Sequence, residues 1–311
     1  MISIIIATYK RESLLLDTLR SISTQKIDIP YELIIVENSP IRSAKVLELI
    51  KGFKDVKFVN FELHGATNAR HYGYNISQGD ILVFIDDDIE MGADWLRELT
   101  TPLVNKRADQ VAGRILLKFE APLPEHLNQY RNFFSELDLS LSSFYFKPYK
   151  GCAVSANMAI TRDAFKEANG LNVCYYGKEE MLHFSGDGEC GLTRKLFDLN
   201  KKVYYCAEAV VYHRIPISRC NEEYLLRRAK NSAIENVYRI YRYSRFRNIS
   251  LIWNFIATSL KLIIFVFQNQ SIFKNKFQLR IYESQLRQIL NVATSSDLRH
   301  YILRNNYMLK E

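Results

Sequence analysis

The sequence predicts an α/β fold, a Rossmann-like and mostly parallel sheet flanked by helices, with a helical region appended at its C-terminal end. Three observations carry this. Over residues 1–90, short apolar runs alternate with segments whose apolar residues recur at helical spacing, the pattern of right-handed strand–helix–strand crossovers. The fourth of those runs ends on three consecutive carboxylates, Asp86, Asp87 and Asp88, where parallel sheets collect their ligands. Composition then shifts near residue 218: residues 1–218 carry 26 Lys+Arg against 28 Asp+Glu, whereas residues 219–311 carry 16 against 6. The basic character of a chain with net charge +8 therefore resides in its last third, and we divide it into 1–218 and 219–311. At 311 residues and 48% apolar content there is ample material for one large α/β unit and an appendage.

Ile2–Ala7 is a continuous apolar strand, and from Glu12 to Thr24 the residues Leu15, Leu16, Leu19 and Ile22 repeat at helical spacing. Leu33–Val36, Val56–Phe61 and Ile81–Ile85 are the next strands, with helices at Val46–Ile50 and Thr67–Ile76 between them. The loops Thr8–Arg11, Glu37–Ser39, His64–Gly65 and Asp86–Asp88 should then meet on one face of the sheet. After Pro122 and Pro124 the pattern is irregular and aromatic through Tyr149. It resumes with Ala153–Ile160, a helix near 162–168, the strand Val203–Cys206, and helices from Asn221 onward.

Three adjacent acids need a reason. Two carboxylates about 5 Å apart repel by roughly 3 kcal/mol at an effective dielectric of about 20. A hard divalent cation offsets this, and magnesium or manganese commonly takes one or two carboxylates together with nucleotide phosphates. The alternative is a solvated acidic turn.

Taken in order, four elements resemble family 2 glycosyltransferases, GT-A-fold enzymes that move a sugar from a nucleotide-sugar to an acceptor. The likeness covers residue 2 to about 215. SIIIATYKR resembles the opening strand and its T-Y-N-R, which implies that Ala7, Thr8, Tyr9 and Arg11 contact the nucleotide; ELIIVENS places Glu37 where the family has a base-binding Asp. GATNARHYGYNISQGDILVFIDDD resembles the G-x-x-x-A-R-N-x-G stretch and the DxD that follows it. Arg70 then faces the nucleotide, with His71 in place of the usual Asn. Asp86 and Asp87 lie near ribose and phosphate, and Asp88 holds Mn2+ or Mg2+. Downstream, Gly151–Met158 resembles the stretch before the acceptor-side helix, which puts Asn157 and Met158 on the acceptor side, and Gly170-Leu171-Asn172 resembles G-F-D/N. Ser185-Gly186-Asp187-Gly188-Glu189 stands where the family has its E-D-x-D/E box. Asp187 matches the general base, Gly186 replaces an acid, Glu189 closes the box, and Arg194 falls one residue later than usual. The resemblance also implies that His213 reaches the metal and Arg214 the phosphates. Asp187 and Glu189 equally suit a helix N-terminus, where the dipole favours acids.

The implied reaction is an inverting transfer from a nucleotide-sugar, a UDP-sugar by expectation, to a glycan or lipid-linked acceptor. Two other readings compete: a catalytically impaired glycan- or membrane-binding protein of the same fold, for which Gly186 speaks, and a phosphatase with Asp-x-Asp after a strand. The latter would carry its acids after the first strand rather than the fourth. The five cysteines form no CxxC pair and read as reduced thiols. The first strand begins at Ile2, which leaves no room for a leader; the expectation is a cytoplasmic protein, or one held peripherally at the inner face of the cell membrane. In residues 219–311 the apolar window Leu251–Phe267 is short of a membrane span and is interrupted by Asn254, Thr258 and Lys261. With its neighbouring Arg and Tyr residues it reads either as an interfacial anchor on an anionic membrane or as a subdomain that packs on the catalytic part or forms a homo-oligomer. No nucleic-acid-binding module accompanies the basic patch, which argues against that partner.

Overall fold

The computed structural model describes residues 1–38, 44–63, 65–172, 186–266 and 271–308. Ser39, His64, Cys174, Ser185 and Gln268, with all but the last residue of the loop 174–186, expected to bear on acceptor choice, lie outside the described residues.

Strands β1 (Ile2–Thr8), β2 (Tyr31–Glu37), β3 (Val56–Asn60) and β4 (Ile81–Ile85) alternate with α1 (Glu12–Ser23), α2 (Ala44–Ile50) and α3 (Ala66–Ile76). They form a parallel half-sheet in the order β3-β2-β1-β4. The second half adds β5 (Ile89–Met91), α4 (Trp95–Val104), β6 (Gln110–Phe119), β7 (Phe144–Tyr145), β8 (Asn157–Thr161), α5 (Arg162–Glu167), α6 (Gly188–Asp198) and β9 (Val203–Ile215). Strand β8 inserts antiparallel between β4 and β6, and β9 lies parallel to β6. The expected strand Val203–Cys206 continues through His213 and Arg214 as one long β9, whose register against β6 shifts where Cys206 pairs Gly113 and Val210 pairs Arg114.

The continuous apolar runs are explained by burial on both faces. Ile2, Ile4 and Ile6 of β1 pack with Leu15, Leu19 and Ile22 of α1, while Ile5 packs on the opposite face with Ile34, Phe84 and Phe165. This is the period-two alternation of a strand covered on two sides, and each such side chain contributes about 1.5–3 kcal/mol by leaving water. Helix α3 approaches the sheet closely because it carries Gly73: a Cβ there would stand 2.5 Å from Ile5 Cγ2.

The C-terminal helices α7 (Glu222–Tyr243), α8 (Arg247–Val266), α9 (Ile272–Thr294) and α10 (Ser296–Ile302) pack together around Val237, Tyr238, Ile289, Val292 and Ile302. Asn221 caps α7 by accepting from Tyr224 N–H. The aromatic segment Glu125–Phe134, a 3-10 turn, joins this bundle to the sheet: Tyr130 meets Phe277 at 4.4 Å between centroids, and Phe134 stacks on Tyr224 at 5.2 Å. Helix α8 is arranged differently from a surface helix. Thr258 is buried and Asn254 accepts from Gln285 Nε2 at 2.9 Å, so these polar residues face the bundle while most of the apolar ones face out.

The cysteine expectation is corrected. Cys152 and Cys190 form a disulfide across 38 residues, because the loop before β8 runs against the first turn of α6. Nothing in their sequence spacing foreshadows that approach. Cys206 and Cys220 are free and buried.

Candidate active site

The parallel strands end along one edge and build a cleft of about 380 Å³ lined by Ala7, Thr8, Tyr9, Arg11, Asn38, Gly65, Ala66, Arg70, Asp86 and Asp87. Residues from β1, α3 and the turn after β4, far apart in sequence, are thus brought together as expected. The acid turn is fixed from below by Thr18 of α1, which donates to the Asp87 carbonyl and accepts from Ile89 N–H, both at 3.0 Å. Arg214 N–H donates to the Asp88 carbonyl at 2.8 Å.

Each acid has its own cation. Arg70, itself buried, donates to Asp86 at 2.6 Å. Arg11 Nη1 reaches both Asp87 at 2.9 Å and Asp88 at 3.2 Å, and Thr8 donates to Asp87 at 2.7 Å. Arg219, just beyond β9, donates to Asp88 Oδ2 at 3.1 Å. Opposite charges about 3 Å apart attract by roughly 5 kcal/mol at an effective dielectric of about 20, more than the roughly 3 kcal/mol of repulsion between neighbouring acids. The arginines therefore compensate the carboxylates without further help, and the repulsion argument alone does not require a metal.

Asp87 and Asp88 differ in acidity. Burial pushes Asp87 up to about 6, with Arg11 opposing and Asp88 assisting. Burial acts the same way on Asp88, but His213, Arg219 and Arg11 outweigh it and hold that carboxyl below its ordinary value. His213, which burial alone would discharge, is raised by Asp88.

A divalent cation can be tested against this donor set. Asp88 Oδ1 is buried and faces His213 Nε2 at 3.2 Å, while His213 Nδ1 donates to the Phe134 carbonyl at 2.9 Å. With one proton kept on Nδ1 by that carbonyl, a cation that displaces the proton between Nε2 and Asp88 would find the Nε2 lone pair. Two ligands about 2.1 Å from a magnesium-sized ion on adjacent octahedral positions stand roughly 3 Å apart, close to what is seen. Asp88 and His213 therefore fit as the protein's share of such a site. Among the described residues no group of three or more His, Cys, Asp or Glu side chains converges on a common point, so the remaining ligands would come from a bound phosphate and water. Arg214 does not join the site: alternation along β9 turns it the other way, onto Asp17, Glu90 and Glu120.

Asp187 stands as N-cap of α6, almost fully buried. Its Oδ1 accepts from Asn172 Nδ2 at 2.8 Å and its Oδ2 from Tyr243 Oη at 2.6 Å. A carboxylate has about four lone-pair positions, so two remain open. Beside it lies a smaller pocket of about 180 Å³ lined by Tyr149, the Cys152–Cys190 disulfide, Arg194, Arg239 and Tyr243, among others. Arg194 lies over the Tyr243 ring at 4.1 Å and the Tyr149 ring at 4.9 Å. Gly186 is buried next to Asp187, and Glu189 accepts from Ser155 N–H at 3.4 Å.

Several residues escaped the sequence reading. Tyr243 and Glu235 both come from α7, in a region without a motif. Burial pushes the Glu235 carboxyl up to about 7, with Glu189 and Asp187 assisting against Arg239 and Arg228. A third acid thus borders the Asp187 end of the site. His71, taken as a replacement for Asn, is fully buried and accepts from Leu171 N–H at 3.0 Å, which fixes the loop that carries Asn172 to Asp187. Lys195 secures the same loop by donating to the Gly170 carbonyl at 2.6 Å, and burial together with Arg242 lowers it to about 7. Glu37 accepts from Lys10 N–H at 3.4 Å, and its neighbour Asn38 lines the cleft.

Asn157 and Met158, expected on the acceptor side, lie inside the sheet. Both are fully buried, because β8 is an interior strand covered on both faces. Asn157 donates to the carbonyls of Arg114 and Ala209 and accepts from Trp95 Nε1, and Met158 Sδ accepts from Gln110. These hydrogen bonds tie neighbouring strands together.

The model for glycosyl transferase family 2 matches residues 3–168, more than half of the chain, and the chain belongs to that family. Among particular relatives, it is 25% identical over 241 residues to the succinoglycan biosynthesis protein ExoM of Rhizobium meliloti, covering 73% of this chain and 71% of that one. It is 23% identical over 233 residues to the glucosyl-dolichyl phosphate glucuronosyltransferase of Haloferax volcanii, covering 73% and 74%. A 112-residue match to polypeptide N-acetylgalactosaminyltransferase 8 of Drosophila melanogaster is 31% identical and covers 33% of this chain, which spans only 18% of that relative's length.

Proposed function

We propose that this protein transfers a sugar from a nucleotide-sugar, a UDP-sugar in our reading, to a hydroxyl of a glycan or lipid-linked acceptor, with inversion at the anomeric carbon. The observation that carries the proposal is the cleft at the ends of β1 and β4, where Arg11, Arg70, Asp86 and Asp87 border a space of nucleotide size, with a hydrogen-bonded carboxylate, Asp187, beside a pocket of its own. Tyr9, exposed at the rim, offers a ring for the base to stack on. Arg11 and Arg70 supply positive charge for the diphosphate.

Mn2+ or Mg2+ held by Asp88 and His213 would neutralise charge on the departing nucleoside diphosphate. The protein's own contribution is to orient the base. Asn172 and Tyr243 hold both oxygens of Asp187, so its free lone pairs point in a fixed direction and take the acceptor's proton as the hydroxyl attacks. The names of two relatives, one for succinoglycan biosynthesis and one for a dolichyl phosphate glycoside, support a surface-glycan or lipid-linked acceptor. The test is release of nucleoside diphosphate from a panel of nucleotide-sugars, with and without manganese. Turnover of none of them, together with no thermal stabilisation by any nucleoside diphosphate, would overturn the proposal in favour of a binding protein of the same fold.

A further inference from the structure

We propose that the outer face of α8 is a membrane-binding surface that seats the protein in the headgroup region of an anionic phospholipid bilayer, with the helix lying in the membrane plane. The observation is an inverted helix. Ile249, Ile252, Trp253, Leu260, Ile263 and Ile264 fall within about 120° of one another at the helical repeat, and all are exposed. Trp253 is 66% exposed and Ile252 60%, whereas Thr258 on the opposite face is 2% exposed. A helix that turns polar residues inward and isoleucines outward is built against something other than water.

Charge selects the occupant. The sequence between Glu235 and Glu283 contains no Asp or Glu, and exposed Arg245, Arg247, Lys261, Lys274 and Lys276 lie on or next to α8 in sequence. A second copy docked on this face would bring the same cations against one another. An anionic lipid surface complements them and accepts the apolar side chains between its headgroups. Orientation follows from packing. Stretch Arg247–Phe265 is long and apolar enough to cross a bilayer, but α8 packs along α9, and exposed Lys274, Lys276, Arg280 and Arg287 of that helix could not accompany it into hydrocarbon. Only the in-plane arrangement satisfies both helices. This inference does not depend on the transferase reading, since no cleft residue takes part.

The experiment is co-sedimentation of the full chain with vesicles of equal parts phosphatidylcholine and phosphatidylglycerol, and with phosphatidylcholine alone. Binding to the anionic vesicles at low salt should exceed binding to neutral ones by about ten-fold or more and weaken as salt is raised. Brominated lipid should quench Trp253, because the other tryptophan, Trp95, is buried in the sheet domain. The double variant Ile252→Asn/Ile263→Asn should melt like the parent, its sites being exposed, and partition about a hundred-fold more weakly or worse. A parent that stays in the supernatant with anionic vesicles overturns the inference. So does a double variant that binds as well as the parent, or a dimer in sedimentation velocity that the double variant abolishes, which would assign the face to a second copy.

Discussion

Replacement of His71 by asparagine, the residue that the family resemblance leads one to expect there, gives a test whose size follows from the structure. His71 is fully buried, and burial together with Lys195 and Arg70 lowers its pKa from 6.5 to about 3. It is therefore neutral in the folded protein, as its acceptance of Leu171 N–H requires. The unfolded chain binds a proton at this site below pH 6.5 and the folded one does not, so the linked stability is fully present above pH 6.5 and is lost as pH falls towards 3. Relative to neutral pH, the parent should lose roughly 1 kcal/mol at pH 5.5 and roughly 2–3 kcal/mol at pH 4.5 from this residue alone. His71→Asn removes the titration and adds a pH-independent penalty of roughly 1–3 kcal/mol for lost packing. Other buried groups titrate too, but they are common to both proteins and cancel in the difference. Urea unfolding at pH 7.5, 6.5, 5.5 and 4.5 measures it: the variant should be the less stable at pH 7.5, and the gap should close by the stated amounts as pH falls. A gap that stays constant from pH 7.5 to 4.5 would refute the argument that His71 is held neutral.

Three further outcomes are expected. Asp187→Asn should leave donor affinity nearly unchanged and lower transfer by roughly 100-fold or more; Glu235→Gln as the crippling change, with Asp187→Asn mild, would move the base to α7. Asp88→Ala should abolish any manganese dependence of UDP binding measured by calorimetry. It should also lower the apo melting temperature, because Arg219 and His213 lose their partner, whereas a rise would mean that acid–acid repulsion dominates. Asn157→Leu should destabilise by about 2–4 kcal/mol through loss of three buried hydrogen bonds, with the donor affinity of the folded fraction unchanged; a selective rise in acceptor KM at unchanged stability would restore Asn157 to the acceptor side.

What the sequence determined by itself was whatever depends on neighbours along the chain. Apolar runs such as Ile2–Ala7 and Ile81–Ile85 specify buried strands, their alternation with helices specifies a parallel half-sheet, and strand ends specify where Thr8, Arg11, Arg70 and Asp86–Asp88 must meet. That cleft was legible because most of its residues sit at the ends of strands whose direction periodicity reveals, and Arg70 follows on the helix that leads into β4. The other end of the site was only half legible. Asp187 could be named from its box, but its partner Tyr243 arrives from α7, 56 residues downstream, and no local pattern records which helix end a tertiary packing delivers. Asn157 looked equally functional, yet the antiparallel insertion of β8 between β4 and β6 buried it, and strand order is a property of the whole sheet. The Cys152–Cys190 pairing and the outward face of α8 are of the same kind. In α8 the sequence shows one polar stripe and one apolar face, and either could be packed against the protein. Tertiary structure decided it, because Gln285 of α9 donates to Asn254 and Thr258 is buried on the same side, leaving the isoleucines outside.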